Sequence, residues 1–327
     1  DEDPVAAREA IKEFFPRYER LTIARPDYNF ARYYRPHLLL GLGEYEELEN
    51  GLINQVKQRS HDMPAWHLLG KSYEHQGKKD HAKACYAMIL SGRAKPELIA
   101  QTRIRLGLLM AKEEHFVEAK TELHEALRAY RQAQVPIPPA LERVQDEEWF
   151  QKTEGRYHNR GMYRHFLPIA QEILYSSIPE HVGVVTHVDM RKKRAWFRVN
   201  QQISGNGTLA QFGIKMAPGD FIAVRLEEKI SKDGSNYYGV LTCRPSEERP
   251  DPGIIRYFSG RFSMRPGQTF GFVDREIFVP PHLVEANLLI GGQFLSGMAV
   301  LEYDQKRDRW SWKAVQAGGE EPERYRR

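Results

Sequence analysis

The chain has 327 residues, 41% hydrophobic and 28% charged, with a formal net charge of +4. That length exceeds one ordinary domain, and the composition supplies apolar material for two or three packed cores. No run approaches the roughly 18 apolar residues of a membrane span, and residues 1–20 are charged throughout, which reads as no signal peptide and no membrane partner. The first residue is Asp1, so the chain is read as a fragment or a trimmed protein. Cys85 and Cys243 lie far apart and provide neither a disulfide framework nor a four-ligand zinc site. Both are expected to be small buried residues in a reducing, cytoplasmic setting. The basic surplus is uneven. Residues 181–327 carry 22 Lys+Arg against 17 Asp+Glu, while residues 1–180 carry 26 against 27. A surplus of that size permits nucleic-acid binding without demanding it.

Residues 1–178 read as helical. Ile11, Phe14 and Phe15 give residues 6–20 an amphipathic face, and Pro26-Asp27 ends it. A repeat follows, clearest at Trp66-His67-Leu68-Leu69-Gly70-Lys71-Ser72-Tyr73. Trp66, Leu69 and Tyr73 share one helix face. Ala82 and Tyr86 fall where a second helix packs against it, Gly77 sits in the turn, and Pro96 closes the unit. Gly43, Leu48 and Leu52 form a copy before it. Leu106-Gly107, Met110, Ala119, Leu123 and Ala126 form one after it, three residues late. Beyond Val135-Pro136-Ile137-Pro138-Pro139, helices over 140–153 and 158–176 are expected to cap the stack.

These residues match the W-x2-L-G-x2-Y pattern, and about 100 residues resemble the tetratricopeptide-repeat family. The resemblance implies a concave surface that binds a protein partner, with Lys71, His75, Arg103 and Arg105 as candidates by helix position. The plainer alternative is a stack that only spaces the domains behind it. His61, His67, His75 and His81 form no metal motif and are expected to be surface or hydrogen-bonded side chains; no metal and no cofactor is expected. Glu44, Glu46, Glu47 and Glu49 read as the exposed side of a helix.

At Ser176-Ser177-Ile178-Pro179-Glu180 the texture changes to short strands. Residues 179–248 read as five of them: His181–Asp189, Ala195–Val199, Thr208–Ile214, Phe221–Leu226 and Tyr237–Leu241, with turns at Arg191–Arg194, Pro218-Gly219-Asp220 and Lys232-Asp233-Gly234. Five such strands suggest an OB-type barrel, similar to cold-shock and related RNA-binding barrels. Of the adjacent Trp196 and Phe197, only one can face outward. Arg191, Lys192, Lys193 and Arg194 beside Trp196 place phosphate attraction next to a stacking ring. An ordinary charged hairpin tip reads equally well.

After Arg249–Gly253, a second barrel is expected over 254–317, followed by a charged tail at 318–327. Gln268-Thr269-Phe270-Gly271-Phe272-Val273 and Ile277-Phe278-Val279 alternate with a period of two about the turn Asp274-Arg275-Glu276. Phe270 and Phe272 share one strand face, Phe278 returns on the next strand, and Gly271 leaves backbone open to a ligand. By pattern alone the three rings would fill a core. This stretch resembles a cold-shock domain, whose two RNP motifs read roughly K-G-F-G-F-I and V-F-V-H-F. The resemblance spans Ser259 to Val315 and implies exposed, base-stacking roles for Phe270, Phe272 and Phe278. Three departures stand out: Gln268 for the motif Lys, Pro280-Pro281 for the His-Phe pair, and Met264 for the first-strand Trp. Arg261 and Arg265 flank the first strand within reach of phosphates. Trp310 and Trp312 share a face, either extending the stacking surface or packing in the core.

The reading is therefore a multidomain chain, an all-α tetratricopeptide-like solenoid followed by two all-β OB/cold-shock-like barrels. It is expected to be a non-catalytic adaptor for single-stranded RNA or DNA, RNA ahead of DNA, with a protein partner on the repeats. The arrangement loosely resembles accessory proteins of bacterial conflict or phage-defence systems. A protein scaffold and a nuclease-associated component are the alternatives. The sequence contains no Walker loop, nucleophile elbow, zinc quartet or nuclease-like carboxylate cluster.

Overall fold

The computed structural model describes residues 4–27, 29–230, 236–304 and 307–318. The expected turn at Lys232-Asp233-Gly234 and the tail beyond Gly318 lie outside the described residues. The chain divides into two compact units, Asp1–Leu174 and Tyr175–Arg327.

The first unit is helical. Its elements are α1 (Pro4–Ala24), α2 (Asn29–Leu42), α3 (Tyr45–Gln58), α4 (Met63–His75), α5 (Lys79–Leu90), α6 (Pro96–Ala111), α7 (Phe116–Ala133), α8 (Pro139–Gln145), α9 (Glu148–Lys152) and α10 (Arg160–Tyr175). Helix α4 starts where Ala65 N donates to the Asp62 carboxylate at 3.1 Å, with Pro64 in the first turn. It buries Trp66, Leu69 and Tyr73, and it stops at Gly77, whose φ of +72° suits glycine. Close helix contact needs small residues. A Cβ on Gly70 would lie 2.3 Å from the Tyr86 ring, and one on Gly107 would lie 2.6 Å from Leu123. The spacing is the same in both, so α4–α5 and α6–α7 are built to one plan, and Ala82, Ala119 and Ala126 are buried. The expected 140–153 helix is instead two short ones, α8 and α9, the second of which carries Trp149 and Phe150 against Phe116 and Lys120.

The second unit holds two closed barrels. The first consists of β1 (Glu180–Asp189), β2 (Arg194–Arg198), β3 (Ser204–Thr208), the short helix α11 (Leu209–Phe212), β4 (Phe221–Ile230) and β5 (Asn236–Pro245), closed in the order β1-β2-β3-β5-β4. The second consists of β6 (Ile255–Ser263), β7 (Gly271–Val273), β8 (Ile277–Val279), α12 (Pro281–Ala286), β9 (Phe294–Asp304) and β10 (Arg309–Gly318). Its order, β10-β8-β7-β6-β9, is the same circuit. In each barrel the third and fifth strands pair parallel, and a short helix follows the third. This is the five-stranded Greek-key barrel of the OB type.

One strand lies elsewhere than the sequence pattern suggests. The third strand is Ser204–Thr208, and the expected strand at Thr208–Ile214 begins instead with helix α11. Thr208 and Gln211 form a reciprocal capping box there, with Gln211 N donating to Thr208 Oγ1 at 3.3 Å and Thr208 N donating to Gln211 Oε1 at 2.7 Å. Gly205 and Gly207 hide the strand, because glycine is depleted in strands. Gly205 is needed all the same: a Cβ would sit 2.8 Å from the Phe197 ring.

Each barrel has its own core, built on Phe197, Phe212 and Ile222 in the first and on Phe262, Val273 and Leu295 in the second. A third apolar cluster joins them. Val184 from β1 packs with Ile254, Met298, Val300, Leu301 and Val315, and Phe221 and Trp312 lie against it. Gln316 Nε2 donates to Pro218 O at 3.0 Å across the same seam. Sharing buried apolar surface makes the barrels one unit.

Candidate nucleic-acid interface

The period of two decides which face each β7–β8 residue takes. Gly271, Val273, Ile277 and Val279 point into the core, while Phe272 and Phe278 face outward and are half-buried. Register places Phe272 directly opposite Phe278. Phe270, just before β7, joins them. The ring centroids of Phe270 and Phe278 are 5.5 Å apart, those of Phe272 and Phe278 are 5.6 Å apart, and those of Phe270 and Phe272 are 6.2 Å apart. The three rings therefore form one contiguous aromatic surface outside the barrel core, whose members are other residues. Phe270 meets Phe272 edge-on at 82°, and Phe278 is tilted against both rings at 53° and 57°, arrangements that aromatic pairs favour over face-to-face stacking.

The turn that supports this surface is strained and specific. Asp274 and Arg275 have φ of 49° and 61°, the left-handed pair that tight hairpins require. Arg261 N donates to the Asp274 carboxylate at 3.1 Å, which ties the turn to β6. Gly271 has a different job from the one its sequence suggested. It is buried, and a Cβ would lie 2.4 Å from the Phe262 ring and from Ser263 O. It admits the neighbouring strand, not a ligand.

Cationic side chains surround the rings. A cleft of 560 Å³ beside Phe270 and Phe272 is lined by Arg265, Arg275, Arg307 and Arg309. Arg307 reaches Asp304 at 3.8 Å, and among the described residues Arg265, Arg275 and Arg309 form no ion pair. Arg261 lines an adjoining cleft with Arg275 and Asp274. Across the sheet, Ser263, Phe272, Phe278 and Lys313 are neighbours in register. Lys313 also pairs with Glu302 at 3.0 Å. Stacking rings flanked by guanidinium groups provide both components of single-strand binding, π faces for bases and charge for phosphates.

The first barrel contributes a second aromatic group. Phe197 is in the core and Trp196 is outside. Trp196 lies opposite His187 in register, with ring centroids 5.2 Å apart. His187 in turn faces His282 of α12 at 6.3 Å. Burial first, then the nearby His187 and Lys313, hold the His282 imidazole below its ordinary range, and Glu285 opposes them. Arg191, Lys192, Lys193 and Arg194 are all exposed at the β1–β2 tip. The Asp189 carboxylate accepts from Arg191 N and Lys192 N at 2.9 Å each, and Arg194 donates to Asn206. On another part of the seam, the Arg198 guanidinium lies 5.0 Å over the Trp310 ring, which contacts Tyr303 at 5.4 Å. Trp310 is exposed, while Trp312 packs against the core of the second barrel and against the seam cluster.

Sequence reasoning singled out Arg261 and Arg265 but missed Arg275, Arg307, Arg309, His187 and His282 as members of this surface. Arg275 lies in the turn already recognised as polar, and Arg309 immediately precedes Trp310. The signal was local in both cases. For the histidines there was none.

The candidates of the helical unit do not share one surface. Lys71 and His75 line a cleft of 1140 Å³ with residues of α1 and α2, and His75 stacks on Tyr45 at 6.4 Å. Arg103 points inward to Glu122 at 2.6 Å, and Arg105 pairs with Glu74 at 2.8 Å. Cys85 is buried, as expected, whereas Cys243 is only half-buried; burial pushes its thiol up to about 12. Among the described residues, no group of three or more His, Cys, Asp or Glu is arranged to hold a metal ion. No helix among them is long and apolar enough to cross a membrane.

Three family matches account for most of the chain. Residues 175–238 match S1/CSD-like domain 1 of the TOTE conflict systems, and residues 256–317 match S1/CSD-like domain 2 of the same systems. Both closed barrels therefore coincide with S1/cold-shock-like domains. Residues 29–170 match a domain of unknown function, DUF7017, in place of the tetratricopeptide family that the repeat residues resemble. No curated protein matches the chain.

Proposed function

We propose that this chain is a non-catalytic component of a conflict system. Its tandem barrels bind single-stranded nucleic acid, RNA ahead of DNA, while its helical unit engages a protein partner. The observation that carries the reading is the contiguous surface of Phe270, Phe272 and Phe278 beside the arginine-lined cleft. The match of both barrels to domains of conflict systems supports the setting. Two acids in the turns of the barrels have structural work: Asp274 holds Arg261 N, and Asp189 closes the β1–β2 turn. For the partner, the cleft lined by Lys71, His75, Arg8 and Lys12 is the favoured surface.

The test is binding of labelled oligouridylate and oligodeoxythymidylate across a salt series, alongside nuclease assays with added divalent metal. The reading requires salt-dependent binding that Phe270→Ala/Phe272→Ala weakens in a folded protein, with no strand cleavage. Unchanged binding in that variant would remove stacking from the account.

A second reading has a specific observation behind it. Leu288, Ile290 and Phe294 are 82%, 66% and 66% exposed on the second barrel. Large exposed apolar groups on neighbouring residues mark contact surfaces, which favours a scaffold role for that side. Co-purification of a protein partner lost on Leu288→Ser/Phe294→Ser, without any nucleic-acid binding, would establish it.

A further inference from the structure

The helical unit holds a cleft that the barrel reading leaves unused. It has a volume of 690 Å³ and is lined by Arg93, Arg103, Arg128, Arg160 and Arg164, with no lysine and one acid, Glu125. Residues 1–180 as a whole carry 26 basic against 27 acidic groups, so this clustering is not an overflow of general basicity.

The floor of the cleft is neutralised and rigid. Glu122 is fully buried and accepts from Arg103 at 2.6 Å, from Asn159 Nδ2 at 2.8 Å and from the Tyr163 hydroxyl. These bonds tie α6 and α7 to the start of α10. One buried carboxylate thus consumes one guanidinium. Arg128 reaches Glu125 at 3.8 Å in an exposed pairing within one helix turn, the kind worth little. Among the described residues, Arg93, Arg160 and Arg164 form no ion pair, and all three are exposed. Several uncompensated guanidinium groups at one concave surface repel one another unless an anion joins them.

Two further features narrow the class of anion. The cationic lining is wholly arginine, whose planar fork pairs bidentately with phosphate oxygens. At the rim Tyr157 is 95% exposed, with His158 edge-on to it at 5.7 Å. A tyrosine ring this open offers a base a face on which to stack.

We infer that this cleft is a second nucleic-acid site, which takes the phosphodiester backbone of a single strand on Arg93, Arg160 and Arg164 and one base on Tyr157. The inference does not depend on the barrel surface, and the test separates the two. The probe is labelled oligouridylate of about 12 nucleotides, titrated into the full chain carrying Phe270→Ala/Phe272→Ala. Adding Arg160→Ala/Arg164→Ala should reduce the remaining affinity and flatten its dependence on log salt by roughly 0.7 for each phosphate no longer neutralised. Arg160→Lys/Arg164→Lys should restore the salt slope but only part of the affinity. Tyr157→Ala, at a ring this exposed, should weaken binding without altering the slope. If the arginine variants leave affinity and slope unchanged, the inference fails. It also fails if poly-glutamate binds in an Arg160- and Arg164-dependent way while the oligonucleotide does not, since the cleft would then serve an acidic protein.

Discussion

His187 and His282 face each other at 6.3 Å across the seam between the two barrels. Trp196 lies on one side of the pair, and Lys313, beside Phe278, acts on the other. The outward surface of the second barrel is therefore continuous with that of the first through two imidazoles. Asp189 and Glu285 are the acids that feel this pair, and Lys313 is the further cation. In the free protein His282 is held below its ordinary range of protonation. A bound phosphate would favour the charged form. Oligonucleotide affinity should therefore rise as the pH falls from the ordinary imidazole value of about 6.5 into the depressed range of His282, and His282→Gln should flatten that dependence. Oligomers long enough to span both barrels should show the effect, and short ones should not. A pH-independent affinity for long oligomers would break the link.

Phe270→Ala and Phe272→Ala should each cost about 1–3 kcal/mol of binding, the worth of one stacked base. Both rings lie outside the core cluster of the barrel. Thermal unfolding of the variants should stay close to that of the parent while fluorescence anisotropy reports the weakened affinity.

Gly271→Ala should do the opposite. The added methyl would meet the Phe262 ring and the Ser263 carbonyl at 2.4 Å, and backbone cannot step aside cheaply. A loss of about 1–3 kcal/mol of stability is expected from overpacking. Gly213→Asn is the control, because Gly213 has a φ of +67°, which Asn tolerates, and open space where its Cβ would go. Denaturant midpoints for the two variants should separate clearly.

The helical unit should lose stability in mild acid. His67 is held down to about 4 by burial and by Arg105, Lys71 and His37, while its ring bonds Thr102 at 2.9 Å. The unfolded chain takes up the proton near 6.5 and the folded one resists it. His67 therefore favours folding fully above that value, and its contribution is lost as the pH falls from 6.5 towards 4, by up to about 3 kcal/mol. His67→Gln should flatten the urea midpoint across that window. An equally steep dependence in the variant would place the acid sensitivity elsewhere.

Glu122 offers the sharpest structural test. It is fully buried, and its partner Arg103 is 18% exposed at the side chain. Glu122→Ala leaves a largely buried guanidinium without its anion, a change worth about 3–5 kcal/mol. Arg103→Met/Glu122→Leu removes both charges and should recover part of the loss. Chemical denaturation of the three proteins decides it.

Much of this molecule was legible in its sequence, because short-range rules govern helices and strands. Trp66, Leu69 and Tyr73 on one helix face, and the alternation through Phe270, Phe272 and Phe278, express 3.6- and two-residue periods that any observer of the chain can count. The period of two says that these rings share a face. It does not say whether that face is inside, and there the cold-shock resemblance supplied the side. The strand at Ser204–Thr208 was missed because Gly205 makes room for Phe197 and Gly207 for Phe212, which is a demand of the closed barrel and not of local propensity. Pairings between distant residues were beyond any local rule. Arg265, Arg275, Arg307 and Arg309 gather at one cleft because the second barrel closes, and His187 meets His282 and Arg198 covers Trp310 because the two barrels bury a common apolar seam around Val184, Val300 and Val315. Sequence determined most of the elements and which residues share a face; closure and burial of that seam decided which charges and rings became neighbours.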